Sequence, residues 1–112
     1  MKFQAVFLGY VEGIPGHVPL PFEGEIGEDA TRVVATPTSD FTPDRLVIEE
    51  RSSRKIEVCE IAVNGTVLTM QGDPIPGIVF SNNSGGIRFA SPKCPAGKEI
   101  VLTVREASFK PA

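Results

Sequence analysis

Residues 55–68, KIEVCEIAVNGTVL, decide the fold. Asn64-Gly65 lies between two short β-prone runs, Ile61-Ala62-Val63 and Thr66-Val67-Leu68. Asn and Gly both accept positive φ, which a two-residue type I′ turn needs at its central positions, so this stretch reads as a tight β-hairpin. Upstream of the turn the apolar set changes phase, from Ile56 and Val58 to Cys59, Ile61 and Val63. Side chains on a strand alternate strictly between faces. A phase change inside one strand therefore requires a bulge near Val58 or cover on both faces.

Outward from this hairpin, β-prone runs recur with turn residues between them roughly every eight to twelve positions, the spacing of an all-β sandwich or barrel. Residues 45–50 (RLVIEE) form the preceding strand, joined to residues 55–63 by a polar, basic turn, Arg51-Ser52-Ser53-Arg54. On the other side, Pro74 and Pro76 exclude helix and central strand from residues 71–77. Ile78-Val79-Phe80 reads as a short strand, residues 81–86 (SNNSGG) as a loop, 86–90 as another short strand and 91–97 as another loop. Residues 99–105 (EIVLTVR) alternate cleanly, with Ile100, Leu102 and Val104 on one face.

Toward the N-terminus, residues 31–36 (TRVVAT) are a short strand, and residues 37–44 a loop anchored in the core by Phe41. Residues 2–9 form the first strand, and Pro15-Gly16 suits the centre of a type II turn. Residues 17–26 contain Pro19 and Pro21, which lack the N–H that a ladder needs, so this strand belongs on an edge or carries a bulge. No window of about eleven residues shows helical periodicity. The expected fold is all-β: one domain over residues 1–112, a two-sheet antiparallel sandwich of about eight or nine short strands, of jelly-roll or Greek-key type. A closed barrel is the second choice.

Bulk composition agrees with a self-sufficient domain. A chain of 112 residues with 41% hydrophobic and 22% charged residues can bury a core without staples. The 10 Pro, about twice the usual share, are scattered as turn punctuation rather than gathered into a disordered tract. The formal charge of −3, with both signs mixed along the chain, lacks the basic stripe a phosphate backbone demands, so nucleic acid is not the expected ligand. No run is long enough to span a bilayer and no signal peptide is read in the first residues, so a cytoplasmic origin is expected. Cys59 and Cys94 are expected to be free thiols, Cys59 as a small buried hydrophobe in its strand and Cys94 in a turn; a disulfide between them is the alternative.

Catalytic chemistry finds little to work with. A single histidine, His17, and two separated cysteines cannot furnish a zinc or blue-copper ligand set. Ser81 and Ser91 sit in nothing resembling a nucleophile elbow that would pair with His17. The carboxylates Glu23, Glu25, Asp40, Asp44, Asp73 and Glu99 read as solvated charge or loop caps, although Asp40, Asp44 and Asp73 would form a calcium site if their loops converged. No catalytic, cofactor or metal site is therefore expected, and what remains is binding or building. Apolar residues on both faces of residues 3–8 and at Val33-Val34 point to surfaces covered by neighbours.

The succession Phe41-x-Pro43-x-x-Leu46-Val47-Ile48, Ile56 to Ile61, a tight turn, Ile75-Pro76, Phe80, Ile87-x-Phe89 and Gly97 before Ile100-x-Leu102-x-Val104 resembles small β-sandwich structural proteins of bacteriophages, capsid-associated ones included. The resemblance covers residues 41–104 and implies a non-enzymatic virion component; it transfers no functional residue. The expected partners are the protein itself, as a homo-oligomer, and other subunits of a particle. The residues expected to make contacts are Val18, Leu20 and Phe22 of the proline-rich edge, the basic tip Arg51, Arg54 and Lys55, and Phe109 in the C-terminal extension. The alternative is a carbohydrate- or protein-binding module, for which Tyr10 is the available exposed aromatic.

Overall fold

The computed structural model describes residues 2–27, 29–68, 74–81 and 88–107. Two antiparallel sheets pack together. The first has the order β2-β1-β4, from β1 (Lys2–Tyr10), β2 (Val18–Glu25) and β4 (Thr42–Ile48). The second has the order β3-β8-β5-β6, from β3 (Thr31–Ala35), β8 (Ile100–Glu106), β5 (Ile56–Val63) and β6 (Thr66–Val67), with β7 (Ile75–Pro76) also paired to β5. Phe3, Ala5 and Phe7 of β1 face the interior, as do Ile100, Leu102 and Val104 of β8. Phe22 reaches across from β2, stacking on Phe7 at 5.0 Å between ring centres and meeting Phe3 edge-on at 6.0 Å.

Local signals in the sequence act as read. Asn64 (φ 47°) and Gly65 (φ 85°) form the two-residue turn that joins β5 to β6. The phase change in β5 is a bulge. Val58 pairs with Val104 and Glu60 with Thr103, so Cys59 is the extra residue with no partner on β8. Ile56 and Val58 before it, and Ile61 and Val63 after it, all stay buried.

Among the described strands β2 lies on an edge, and backbone parity explains its prolines. The Gln4 carbonyl accepts the Glu49 N–H at 3.3 Å, so even-numbered residues of β1 aim their backbone groups at β4 and odd-numbered ones at β2. Ala5 and Phe7 therefore bond to Phe22 and Leu20, and Pro19 and Pro21 turn their nitrogens to the outside, where no ladder donor is lost. On its other side β4 is bridged by Arg45↔Arg88 and Ile48↔Ser81, and Phe41 just before it by Cys94, which covers that edge.

Several expectations are corrected. Residues 51–54 do not close a hairpin, because β4 and β5 belong to different sheets. A single helical turn, α1 (Glu50–Ser53), carries the chain between them, with Ser53 N–H bonding Glu49 O at 2.8 Å. Ile78-Val79-Phe80 is not a strand but part of a 3-10 turn over Gly77–Phe80. Three consecutive apolar residues are too few to show a period. Here only Phe80 is fully buried, and Gly77 is pressed so close to Ser53 O and Ile56 that a Cβ would sit 2.6 and 2.7 Å from them. β4 starts at Thr42, inside the segment read as a loop. Of the strand expected over 86–90, Arg88 contributes an isolated bridge, Phe89 and Ala90 are irregular, and residues 86–87 lie outside the described residues. The cysteines exchange roles. Both are free, but Cys94 is fully buried and Cys59, pushed out by the bulge, is half-buried.

Candidate interaction faces

Strand alternation puts Gln4, Val6, Leu8 and Tyr10 on the outer face of β1, each in a cross-strand row. Val6 lies between Pro21 of β2 and Val47 of β4, and Leu8 between Pro19 and Arg45. Gln4 lies opposite Glu23 on one side and takes the Glu49 backbone bond on the other. The face is thus apolar in the middle, with Glu23 and Glu49 toward one end and Arg45 toward the other. Gln4, Val6, Pro21, Glu23, Val47 and Glu49 line an open concavity of about 600 Å³ on it. At the first end Glu23 is 3.7 Å from Lys2 Nζ and accepts from the Gln4 amide at 3.4 Å. At the other end Arg45 has its Nε buried without a hydrogen-bond partner.

One row further on, the ladder between β1 and β4 shifts register: Leu8 pairs with Arg45 but Gly9 with Pro43, leaving Asp44 as a second extra residue. Gly9 is required there, because a Cβ would lie 2.4 Å from Thr42 O and 2.5 Å from the Phe41 ring. Asp44 Oδ2 meets His17 Nε2 at 2.9 Å and lies 3.7 Å from the Arg88 guanidinium. The His17 ring in turn lies 4.9 Å from the Tyr10 ring. Four side chains from distant parts of the chain thus form one polar, aromatic cluster. Sequence carried no sign of it, since the bulge that turns Asp44 toward His17 exists only in the paired sheet.

The outer face of the second sheet has its own apolar row. Val34 pairs with Val101, Val101 with Ala62 and Ala62 with Val67, so four apolar side chains line up across four strands. Val34 and Val67 at the ends of the row are 43% and 52% exposed. Arg32, Asn64, Lys98 and Glu99 rim a shallow groove of about 470 Å³ beside it. The next rows are polar, with Arg105 donating from Nε to Glu57.

The expected contact residues are placed as follows. Val18, Leu20 and Phe22 are half-buried and pack against the core, so the exposed side of that strand is Pro19, Pro21 and Glu23 instead. Arg51, Arg54 and Lys55 are exposed at and after α1. Phe109 lies outside the described residues.

The candidate acids and nucleophiles are scattered. Asp40 Oδ1 accepts the Ala96 N–H at 3.0 Å as a loop cap, Ser81 is buried, and Asp73 lies outside the described residues. Among the described residues no group of three or more His, Cys, Asp or Glu is placed to hold a metal ion. Burial pushes the Cys94 thiol up, and the Asp40 carboxylate adds to that; burial also raises Cys59, opposed by Arg105 and reinforced by Glu57. Among the described residues no helix is long and apolar enough to cross a membrane.

Fold and faces together define a sandwich-like all-β domain whose two outer surfaces each carry a registered apolar row. No protein-family model, curated protein or solved structure matches the chain.

Proposed function

We propose that the chain is a non-enzymatic structural subunit of a larger assembly, a virion capsid or capsid-associated protein that acts through oligomeric interfaces. The observation that carries this reading is the pair of apolar rows, Pro21–Val6–Val47 on one outer face and Val34–Val101–Ala62–Val67 on the other. Val101 is already buried within the chain and Val6, Val47 and Ala62 are half-buried, but Pro21, Val34 and Val67 are exposed, and a subunit packed between neighbours buries what a free-standing sandwich leaves to water. The connectivity is read as Greek-key: the chain crosses between sheets from β2 to β3, back to β4 and again to β5, and β8 returns between β3 and β5. The partners are further copies of the chain and other subunits of a particle. Size-exclusion chromatography with light scattering, from micromolar to millimolar protein, tests the proposal. A defined multimer or a particle-sized species is expected; a persistent monomer that also fails to co-sediment with any particle refutes it.

A second reading rests on the Tyr10–His17–Asp44–Arg88 cluster. An exposed aromatic ring beside a carboxylate and a guanidinium is a suitable arrangement for stacking on and hydrogen-bonding a sugar, so the domain would be a carbohydrate-binding module. Glycan-array binding that disappears in Tyr10→Ala would support it, and an array without signal would remove it.

A further inference from the structure

The outer face of the β2-β1-β4 sheet carries its charges in an order that matches its own reverse. Taken along β1, the Gln4 row bears Glu23, which Lys2 neutralises from 3.7 Å, and Glu49; the Val6 row is wholly apolar; and the Leu8 row bears Arg45, with Arg88, itself 3.7 Å from Asp44, bridged beyond it. The Gln4 and Leu8 rows are each two residues from Val6, about 7 Å at the usual strand rise.

We propose that this face is occupied by a second copy of the chain, related by a twofold axis that lies in the contact plane and crosses the strands at Val6. Such an axis reverses β1 on β1 and keeps β4 over β4. Glu49 of each copy then meets Arg45 of the other, twice per dimer, and the Pro21–Val6–Val47 rows close the centre. This inference rests on the assembly reading and specifies which face is used.

Two observations favour this occupant. Prolines at the outward-facing positions of β2 remove its ladder donors at Pro19 and Pro21, which disfavours joining copies edge to edge and leaves the face. Glu49 and Arg45, on the same side of the face and equally far from the axis, are self-complementary, as an isologous contact demands. Size sets the strength. Three strands about 4.8 Å apart, over the length from Lys2 to Tyr10 of about 27 Å, cover roughly 380 Å² in projection, about half of what a standard stable interface buries per partner. The pair is therefore weak in solution and is sustained by other contacts in the assembly.

Sedimentation equilibrium on the full chain tests the pairing, with circular dichroism to confirm that each variant is folded. Wild type is expected to dimerise reversibly in the high micromolar range or above, and Glu49→Arg to weaken self-association at least about tenfold, because each dimer then faces two like-charged pairs. Arg45→Glu is expected to behave in the same way. Mixing the two variants restores both pairs, so a heterodimer is expected where neither variant self-associates. Association of Glu49→Arg equal to wild type, or no heterodimer on mixing folded variants, overturns the twofold contact but leaves the subunit reading intact. A wild type that remains monomeric at millimolar concentration overturns the contact; if it also fails to join any particle, the subunit reading falls with it.

Discussion

Deleting a residue from the middle of a buried strand is ordinarily ruinous, yet this fold contains a place where it is expected to be tolerated. Cys59 has no partner on β8, and the residues flanking it keep Ile56, Val58, Ile61 and Val63 on the inner face. Without Cys59 the strand reads Ile56-Glu57-Val58-Glu60-Ile61-Ala62-Val63, a perfect alternation with every buried residue still inward. The cost is the half-buried Cys59 side chain and the local twist, about 1–2 kcal/mol. Deleting Ala62, also half-buried and three residues away, has no such escape. Ile61 would turn outward, costing about 1.5–3 kcal/mol, and Glu60 would turn inward at a further cost of a few kcal/mol. Urea denaturation of the two deletion variants separates them. With a slope of about 1–2 kcal/mol per M, the midpoint of the Ala62 deletion is expected roughly 2 M below that of the Cys59 deletion, if it folds at all. Equal damage from both would show that the extra residue is needed for the bend itself, and would refute the account of the bulge as a change of phase.

Two further outcomes follow from the edge and the thiols. Restoring ladder donors on β2 with Pro19→Thr and Pro21→Thr is expected to increase concentration-dependent aggregation, followed by light scattering, with little change in the melting temperature. An unchanged scattering profile would show that the edge is protected by something other than its prolines. Burial raises both thiols, so the folded state keeps those protons after the unfolded chain has released them. Their contribution to stability is complete below the ordinary thiol range, about pH 8.5, and is lost as pH rises through the higher folded values. Urea midpoints measured from pH 7 to pH 10 should therefore fall less steeply in Cys94→Ala than in wild type, and identical slopes would refute the assignment.

The chain's local stereochemistry was legible without a structure. Asn64-Gly65 announced a hairpin because only such residues accept two positive φ values in succession. Pro19 and Pro21 called for an edge or a bulge because neither has a ladder donor to lose, and the strand lies on an edge. The change of phase in residues 56–63 called for a bulge or for cover on both faces, because alternation on a strand has no tolerance for an odd step, and pairing with β8 decided for the bulge. Each of these signals is carried by a few neighbouring residues, and each survived folding unchanged.

What depended on distant parts of the chain was decided only by the tertiary structure. The β4–β5 connection became a helical turn because the two strands lie in different sheets, and sheet membership is set by packing rather than by the residues of the connection. Gly77–Phe80 wound into a 3-10 turn against Ser53 and Ile56, which no property of three apolar residues foretells. Val18, Leu20 and Phe22 were spent on the core, while Tyr10, His17, Asp44 and Arg88 were gathered at one end of a face. The charge order along that face likewise arises from three strands placed side by side in one register. Sequence fixes what a strand can tolerate, but which strands become neighbours is settled by the burial of the whole core, and the surfaces available to a partner are a consequence of that choice.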